Sequence, residues 1–473
     1  MKKQAKMKRQ NKILFTLLLF FFQYSFAQDS LKISAQEFIS VVKNYHPLAL
    51  KYQLQNKIAA SEITRARGSF DPVIGGKLGK KNIDGTRYYE QKNVELGIPT
   101  WYGIEVTGSY NYLDGEKLNS SDTRGGLYQM GVMVPLAKNL LYDQRRAVLD
   151  QAKFAQKMTE AEQAVLTNDL LLEAENTYWE WVQHYEIYQL KSKIVDINKE
   201  RLKLTKKTFE YGERPAIDTV EAVSQLQSFE LQQRDAYLNF VKSTQRLQVF
   251  LWKDGQELYE ISQPIFPSDH LSDHVAYSDF EFLLQELKNS ETTRHLSILY
   301  YNQKNNILES ERRLKWQSFL PKLDFTYNFF NKENYRADYL PLFDNNFQYG
   351  LKLEIPIFQR EARANYQIAK IKINQNQLDT QLKIRELDTK IETYKNELIN
   401  YHLQIDLSEN NLTNYQRLLN AEETRYSNGE SSLFLINSRE NKVIDAQEKF
   451  ISIKTKFLKS FNKLKWMKEN FTL

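Results

Sequence analysis

The chain has 473 residues, with 65 Lys and Arg against 59 Asp and Glu, and its formal net charge at pH 7 is +6. It contains no cysteine, which excludes disulfides, thiolate metal sites and a cysteine nucleophile. After residue 27 no apolar run approaches the roughly 18 residues of a membrane helix, so any membrane-spanning part of the mature chain would have to consist of β-strands.

The first 27 residues have the three parts of a secretory signal peptide. A basic segment without acids is followed by an apolar run over 13–22, and Ser25 and Ala27 are the small residues that precede a cleavage site. We predict a signal peptide over 1–27, with an uncleaved anchor as the alternative. All six net positive charges lie in this segment, so the mature chain is neutral and its partners are not expected to include nucleic acid.

The first predicted repeat covers 28–260 and begins with a helix, followed by strands within 72–135. Up to four segments in this range alternate apolar with polar residues, including an additional pair around Val94 and Val106. Each segment has about 8–10 residues, close to what a tilted strand needs to cross a bilayer. The alternation alone fits either the wall of a membrane barrel or a soluble antiparallel sheet with one buried face.

A very long helix is predicted over 146–210, because the segment has no proline or glycine and its apolar residues recur every seven positions. These residues are Trp181, Tyr188, Val195, Leu202 and Phe209. At ~1.5 Å per residue the helix would be about 100 Å long, and its apolar seam would follow a left-handed supercoil. A return helix is predicted over 216–252. The helices alone are also consistent with a plain antiparallel coiled-coil rod.

An equatorial linker is predicted over 261–276. It contains the sequence Asp269-His270-Leu271-Ser272-Asp273-His274, in which two histidines four residues apart would share a helix face and resemble a metal site. The neighbouring prolines favour a solvated connection instead. No metal, cofactor or catalytic residue is predicted, because the sequence has no glycine-rich phosphate loop, Gly-x-Ser-x-Gly or His-Glu-x-x-His.

The second predicted repeat covers 277–473 and has strands over 321–331 and 346–356, a long helix over 362–427 and a return helix over 432–467. Its seven-residue apolar series lies 217 positions after the first series, without a gap. The members of the second series are Leu398, Ile405, Leu412, Leu419 and Tyr426. Gly212 and Gly429 keep the same offset, so both repeats have the same order of elements.

Three local patterns recur in this order. They are Ser-Phe-Asp-Pro (69–72) before a strand, Val-Pro-Leu (134–136) and Ile-Pro-Ile-Phe (355–358) before the long helices, and the glycine-containing hairpin tips at 209–218 and 425–430. With the duplicated order of elements, the chain over 34–467 resembles the TolC-like outer membrane efflux protein family. It differs from the family in the additional strands of the first repeat, in Leu435 at the position matching Asp218, and in lacking a lipid-anchor cysteine.

The resemblance implies a mainly α fold with membrane β structure. A homotrimer would combine a long antiparallel α-helical coiled-coil barrel with a transmembrane β-barrel in the cell outer membrane of a Gram-negative bacterium, extending into the periplasm. According to the resemblance, the protein is not an enzyme. It is a channel subunit of a tripartite efflux or type I secretion system, and this subunit forms a passive conduit across the periplasm. The implied partners are a periplasmic adaptor (membrane fusion protein), an inner-membrane RND or ABC transporter, and the lipid bilayer. The alternative is a periplasmic adaptor or a coiled-coil scaffold protein.

The resemblance also assigns a role to the hairpin tips, as the periplasmic entrance and the contact with the adaptor. The residues are Tyr211, Gly212, Glu213, Asp218, Asn428, Gly429 and Glu430. The glycines suit helix C-terminal caps in any case, so an ordinary helical hairpin turn is part of the interpretation. Asp218 would line the entrance and select by charge, or simply serve as an acid in the first turn of the return helix.

Overall fold

The computed structural model describes residues 31–255, 257–259, 265–271, 281–283, 285, 292–333 and 346–470. The predicted signal peptide over 1–27 lies outside these residues, as does most of the predicted linker over 261–276. The described chain forms two units, which are presented separately. Unit 1 comprises the described residues of Met1–Ala49, Leu170–Leu284 and Tyr394–Lys465, and unit 2 those of Leu50–Asp169, Gln285–Thr393 and Trp466–Leu473.

Most of the described residues are helical. The long helices are α1 (Ala35–Tyr45), α2 (Pro47–Arg67), α3 (Gln144–Glu210), α4 (Ala216–Gln248), α5 (Leu296–Gln317), α6 (Arg360–Ser427) and α7 (Leu433–Glu469). The strands are β1 (Leu31–Ile33), β2 (Val73–Ile83), β3 (Thr86–Pro99), β4 (Glu105–Asp114), β5 (Gly125–Pro135), β6 (Ile265–Pro267), β7 (Lys322–Lys332) and β8 (Phe347–Glu354).

Two helices, α3 with 67 residues and α6 with 68, are far longer than the others. Neither contains proline or glycine, so nothing in the backbone interrupts them. Each is followed along the chain by a return helix, α4 after α3 and α7 after α6. In the part of the chain that the structure describes, no helix combines the length and apolar character needed to cross a membrane.

Unit 2 contains a six-stranded antiparallel sheet with the strand order β2-β3-β4-β5-β7-β8. Each strand therefore pairs with the next of these strands along the chain. The sequence left the number of strands open between four and more. The first repeat contributes four of the six, because the additional strands around Val94 (β3) and Val106 (β4) join the same sheet as β2 and β5.

The register of the sheet separates an apolar face from a polar face. One row of directly paired residues that crosses β4, β5, β7 and β8 consists of Val106, Val132, Tyr327 and Tyr349. The next row along the same strands, on the opposite face, consists of Thr107, Gly131, Asn328 and Gln348. Since side chains alternate along every strand, the apolar residues that the sequence places two apart lie together on one side.

The core of unit 1 is built from aromatic residues of α1, α3 and α4. Trp181 is fully buried, and its indole Nε1 donates a hydrogen bond of 2.8 Å to the hydroxyl of Thr244. Tyr178 and Phe38 stack with ring centroids 5.7 Å apart. Burial is the main cause that raises the pKa of the Tyr178 hydroxyl, and the nearby carboxylate of Asp269 raises it further. This cluster joins α1 to α3.

The described part of the predicted linker packs within unit 1. Strand β6 pairs in parallel with β1, and the Asp269 carboxylate accepts hydrogen bonds from the backbone N–H of Ala35 (2.6 Å) and the hydroxyl of Tyr178 (2.8 Å). Nδ1 of His270 lies 3.8 Å from Oε1 of Glu186. Residues 272–274 of the metal-like sequence lie outside the described residues, and the described residues hold no group of three or more His, Cys, Asp or Glu arranged for a metal ion.

A buried histidine starts helix α5 in unit 2. His295 is the N-cap residue, and its Nδ1 accepts a hydrogen bond of 3.1 Å from the backbone N–H of Ser297. Burial, assisted by Lys383 and Lys390, lowers the pKa of His295 to about 4. The imidazole is therefore neutral at pH 7, as an acceptor at a helix N-terminus must be.

Candidate functional site at the hairpin tips

The first tip is the turn between α3 and α4 in unit 1. Gly212 has φ +77°, a left-handed conformation that favours glycine. Its backbone N–H donates to the carbonyl of Phe209 (2.9 Å), and that of Glu213 donates to the carbonyl of Thr208 (3.0 Å). These two bonds form a Schellman motif, which satisfies carbonyls left free where the helix ends.

The second tip, between α6 and α7, repeats this turn. Gly429 has φ +78°, and its N–H donates to the carbonyl of Tyr426 (3.1 Å). The N–H of Glu430 donates to the carbonyl of Arg425 (2.9 Å). The sequence offset of 217 between Gly212 and Gly429 thus corresponds to the same backbone geometry in both repeats.

The two return helices begin differently. Helix α4 has Pro215 as its N-cap, and Asp218 lies in its first turn, where a negative charge is favoured by the helix dipole. Before α7 the hydroxyl of Ser431 donates to the buried carboxylate of Glu422 at 2.6 Å. The tips therefore share the turn and differ in the charged groups near it.

Within unit 1, an arginine of the first tip contacts the second tip. The Arg214 guanidinium donates to the backbone carbonyl of Tyr426 (3.0 Å) and lies over the Tyr426 ring at 4.0 Å from its centroid. Burial raises the pKa of the Tyr426 hydroxyl, Arg214 opposes this rise, and Asp218 adds to it. We call Arg214 and Tyr426 the tip clasp.

A buried polar cluster in unit 1 joins α3 to α7, and we call its residues Asn198, Arg201 and Glu440 the Arg201 cluster. The Glu440 carboxylate accepts from the two terminal nitrogens of Arg201 at 2.6 and 3.2 Å and from the Asn198 amide at 3.2 Å. Asn198 and Glu440 are buried. Glu423 of α6 lies 3.7 Å from Arg201, so this arginine meets acids from both helices of the second hairpin.

The seven residues predicted for this site all lie at the tips. Six are exposed, namely Tyr211, Gly212, Glu213, Asn428, Gly429 and Glu430, and Asp218 is half-buried. The prediction omitted Arg214 and did not assign Tyr426 to the site. Arg214 gave no signal in the sequence, because its partner lies 212 positions away. Tyr426 was visible only as the last member of the seven-residue series. Whether the tips form an entrance stays a prediction.

The fold is that of outer membrane efflux channels. The solved channel CmeC of Campylobacter jejuni matches with a TM-score of 0.63 and 16% identity, over 92% of this chain and 85% of that chain. The open-state channel MtrE of Neisseria gonorrhoeae matches with 0.63 and 12% identity, over 92% and 88%. The outer membrane protein VceC of Vibrio cholerae matches with 0.61 and 12% identity, over 92% and 95%.

The sequence comparison points to the same class. Residues 301–467, which fall within the predicted second repeat, match the family described as "Outer membrane efflux protein". The predicted resemblance to TolC-like channels is confirmed, as is the mainly helical fold. The predicted outer-membrane location is confirmed at the level of the family. CmeC, MtrE and VceC, which share this fold, are outer membrane proteins, and the matched family is described by outer membrane efflux. No curated protein sequence matches the chain.

Proposed function

We propose that the chain is the outer membrane channel subunit of a tripartite efflux or type I secretion system. Three copies close their sheets into one transmembrane β-barrel and their helices into an α-helical barrel that extends into the periplasm. The duct is passive, and a periplasmic adaptor and an inner-membrane RND or ABC transporter deliver the substrate to it. The proposal is supported by the match of residues 301–467 to efflux proteins and by the fold, which matches CmeC over 92% of this chain.

The single observation that carries the proposal is the amphipathic sheet of unit 2. Its apolar face is exposed in the isolated chain, with Ile74 at 75% and Leu351 at 63% exposure. A continuous apolar surface of this extent is unfavourable in water and marks contact with lipid or protein. The opposite face, with Thr107, Asn328 and Gln348, suits a water-filled lumen.

The tips would form the entrance, and the described contacts would hold them closed. Opening requires the hairpins to separate, which breaks the tip clasp and the Arg201 cluster because both join the first hairpin to the second. The exposed Glu213 and Glu430, with Asp218 in the adjacent helix, would give the opening a negative rim and a surface for the adaptor. The clasp partners Arg214 and Tyr426 pack against each other, whereas six of the seven predicted contact residues are exposed.

Membrane fractionation tests the proposal with two matched variants of one strand. The wild type is expected in the outer membrane and, on a denaturing gel without boiling, at about three times its monomer mass. Leu351→Arg places a charge on the apolar face and is expected to cost about 2–4 kcal/mol in lipid, which would deplete the trimer. Gln348→Arg, on the polar face, should leave it intact.

Two outcomes would contradict the proposal. A soluble periplasmic monomer would instead favour the adaptor or scaffold alternative. Equal loss of trimer in Leu351→Arg and Gln348→Arg would show that the two faces do not meet lipid and water respectively, and the sheet would then have to be buried against protein on both sides.

A further inference from the structure

We infer that all six strands belong to the barrel wall, so that β8 of one copy pairs with β2 of a second copy and three six-stranded sheets close an eighteen-stranded barrel. This inference rests on the proposed trimer. The alternative is that only β4, β5, β7 and β8 enter the wall, which gives twelve strands and leaves the β2–β3 hairpin as an external extension.

The two strands of the β2–β3 hairpin have the length of membrane strands. β2 has 11 residues and β3 has 14, against 10 and 11 for β4 and β5. A tilted strand crosses a bilayer with about 9–11 residues. Both strands of the hairpin can therefore span the apolar layer as completely as their neighbours.

The apolar face continues across the hairpin in the rows nearest the β3–β4 turn, and it ends farther along β3 at Lys92, which pairs with Leu78 and Tyr112. Leu96 of β3 pairs with Ile74 of β2 on one side and with Gly108 of β4 on the other. Val94 pairs with Tyr110, and Ile98 pairs with Val106, so the apolar rows of β4 extend onto β3. An extension projecting into water would have no reason to maintain this face in register with the membrane strands.

The opposite face of the hairpin is polar, as a lumen wall requires. Asn93 of β3 pairs directly with Asn111 of β4, and their side-chain amides are hydrogen-bonded to each other. Glu95 pairs with Ser109 on the same face, and Lys77 of β2 lies opposite Asn93. In the rows nearest the β3–β4 turn, β2 and β3 thus have an apolar and a polar face like the four other strands.

The turn between β3 and β4 has the residues of a membrane boundary. Trp101 and Tyr102 occupy it and are 52% and 77% exposed. Trp101 stacks on Phe70, with ring centroids 4.1 Å apart, at the turn where the chain enters β2. Exposed Trp and Tyr side chains favour the level of the lipid headgroups. The chain therefore returns to that level between β3 and β4.

The edges of the sheet identify the partner. β2 and β8 are its first and last strands, and the alternation of the six strands makes them antiparallel to each other. In lipid an open edge leaves backbone N–H and C=O groups without partners, so both edges must be paired. An even number of strands per copy allows β8 to pair with the β2 of an identical copy in antiparallel fashion throughout the ring.

The strand number decides the width of the duct at the membrane. Barrel diameter grows about linearly with strand number, so eighteen strands give a lumen roughly 1.5 times as wide as twelve. The β2–β3 hairpin therefore contributes to the width of the pore, because it forms part of the barrel wall and does not project from the outer surface.

Cysteine cross-linking in the outer membrane tests the inference, and the chain's lack of native cysteine makes the result unambiguous. Tyr349→Cys on β8 is combined in turn with Ile74→Cys, Gly76→Cys or Leu78→Cys, which sample the register along the same face of β2. At least one pair is expected to give covalent dimers and trimers after oxidation. Tyr349→Cys with Tyr110→Cys on β4 is the matched control and should give none.

The remaining outcomes separate this inference from the proposed function. A heat-sensitive trimer that cross-links through β4 but through no position of β2 would overturn the eighteen-stranded wall and leave the channel intact. Absence of any trimer would overturn both. A count of strands in an electron cryomicroscopy map of the purified wild-type trimer gives an independent reading, eighteen supporting the inference and twelve refuting it.

Discussion

Replacing Glu440 by glutamine is expected to destabilise the protein markedly. The change keeps the size of the side chain but leaves the Arg201 guanidinium without the carboxylate that it contacts at 2.6 and 3.2 Å. Removing one partner of a buried ion pair costs about 3–5 kcal/mol. Arg201 is 17% exposed and keeps Glu423 at 3.7 Å, so we expect a loss of roughly 2–3 kcal/mol in unfolding free energy.

Urea unfolding of the detergent-purified protein, followed by helical circular dichroism, measures this loss. Lys199→Gln, on α3 beside Arg201, is the control, because the ion pair of Lys199 with Asp196 at 4.0 Å is exposed and its loss should change stability by less than about 0.5 kcal/mol. Unfolding of Arg201→Gln and of the double variant with Glu440→Gln and Arg201→Gln completes a double-mutant cycle. This cycle should give a coupling energy between the two side chains of at least about 1 kcal/mol. If Glu440→Gln behaves like the control, the burial argument is wrong.

Three other changes probe the clasp, the buried histidine and the turn. Arg214→Ala removes the contacts with Tyr426 and should raise the open fraction of channels in planar bilayers about 5- to 10-fold, whereas the same effect from the exposed Arg417→Ala would contradict a specific clasp. His295 has a folded pKa of about 4, below its ordinary value, so its contribution to stability is complete above about pH 6.5 and is lost as pH falls towards 4. The free energy of unfolding in urea should therefore fall more steeply between pH 6.5 and 5 in the wild type than in His295→Asn, by up to about 1.4 kcal/mol per pH unit, and parallel curves would refute this. Gly429→Ala should cost about 1 kcal/mol in urea unfolding because of its positive φ, with Gly429→Asn costing less; equal stability of all three proteins would show that the turn relaxes.

The helices and the strand pattern were accessible from the sequence because each depends on local periodicity. The series ending at Phe209 and Tyr426 indicated long helices with one buried seam, and the alternation around Val132 and Tyr349 indicated two-sided strands. Glycine at position 212 indicated the end of a helix. In each case a single stretch of chain contains the whole signal.

Pairing between distant segments was not accessible. Alternation around Val94 does not tell whether that strand joins the sheet or projects from it, since either arrangement has the same period. The partners Arg214 and Tyr426 lie in different repeats, and nothing in either local sequence indicates the other. The same holds for Arg201 and Glu440, whose pairing depends on which hairpin faces meet.

The discontinuity of both units has a consequence for biogenesis. Unit 1 is assembled from three separate stretches of chain, and Leu31 in its first strand pairs with Ile265 in β6. Such distant contacts form slowly, because the loop between them must close before it is stabilised. Since α7 completes unit 1 and β8 completes the sheet, neither unit can finish folding until most of the chain has been synthesised and exported. The apolar strands of the first repeat therefore stay unpaired and prone to aggregation until the rest of the chain arrives. Holdase chaperones that shield these strands would then determine the yield of functional protein.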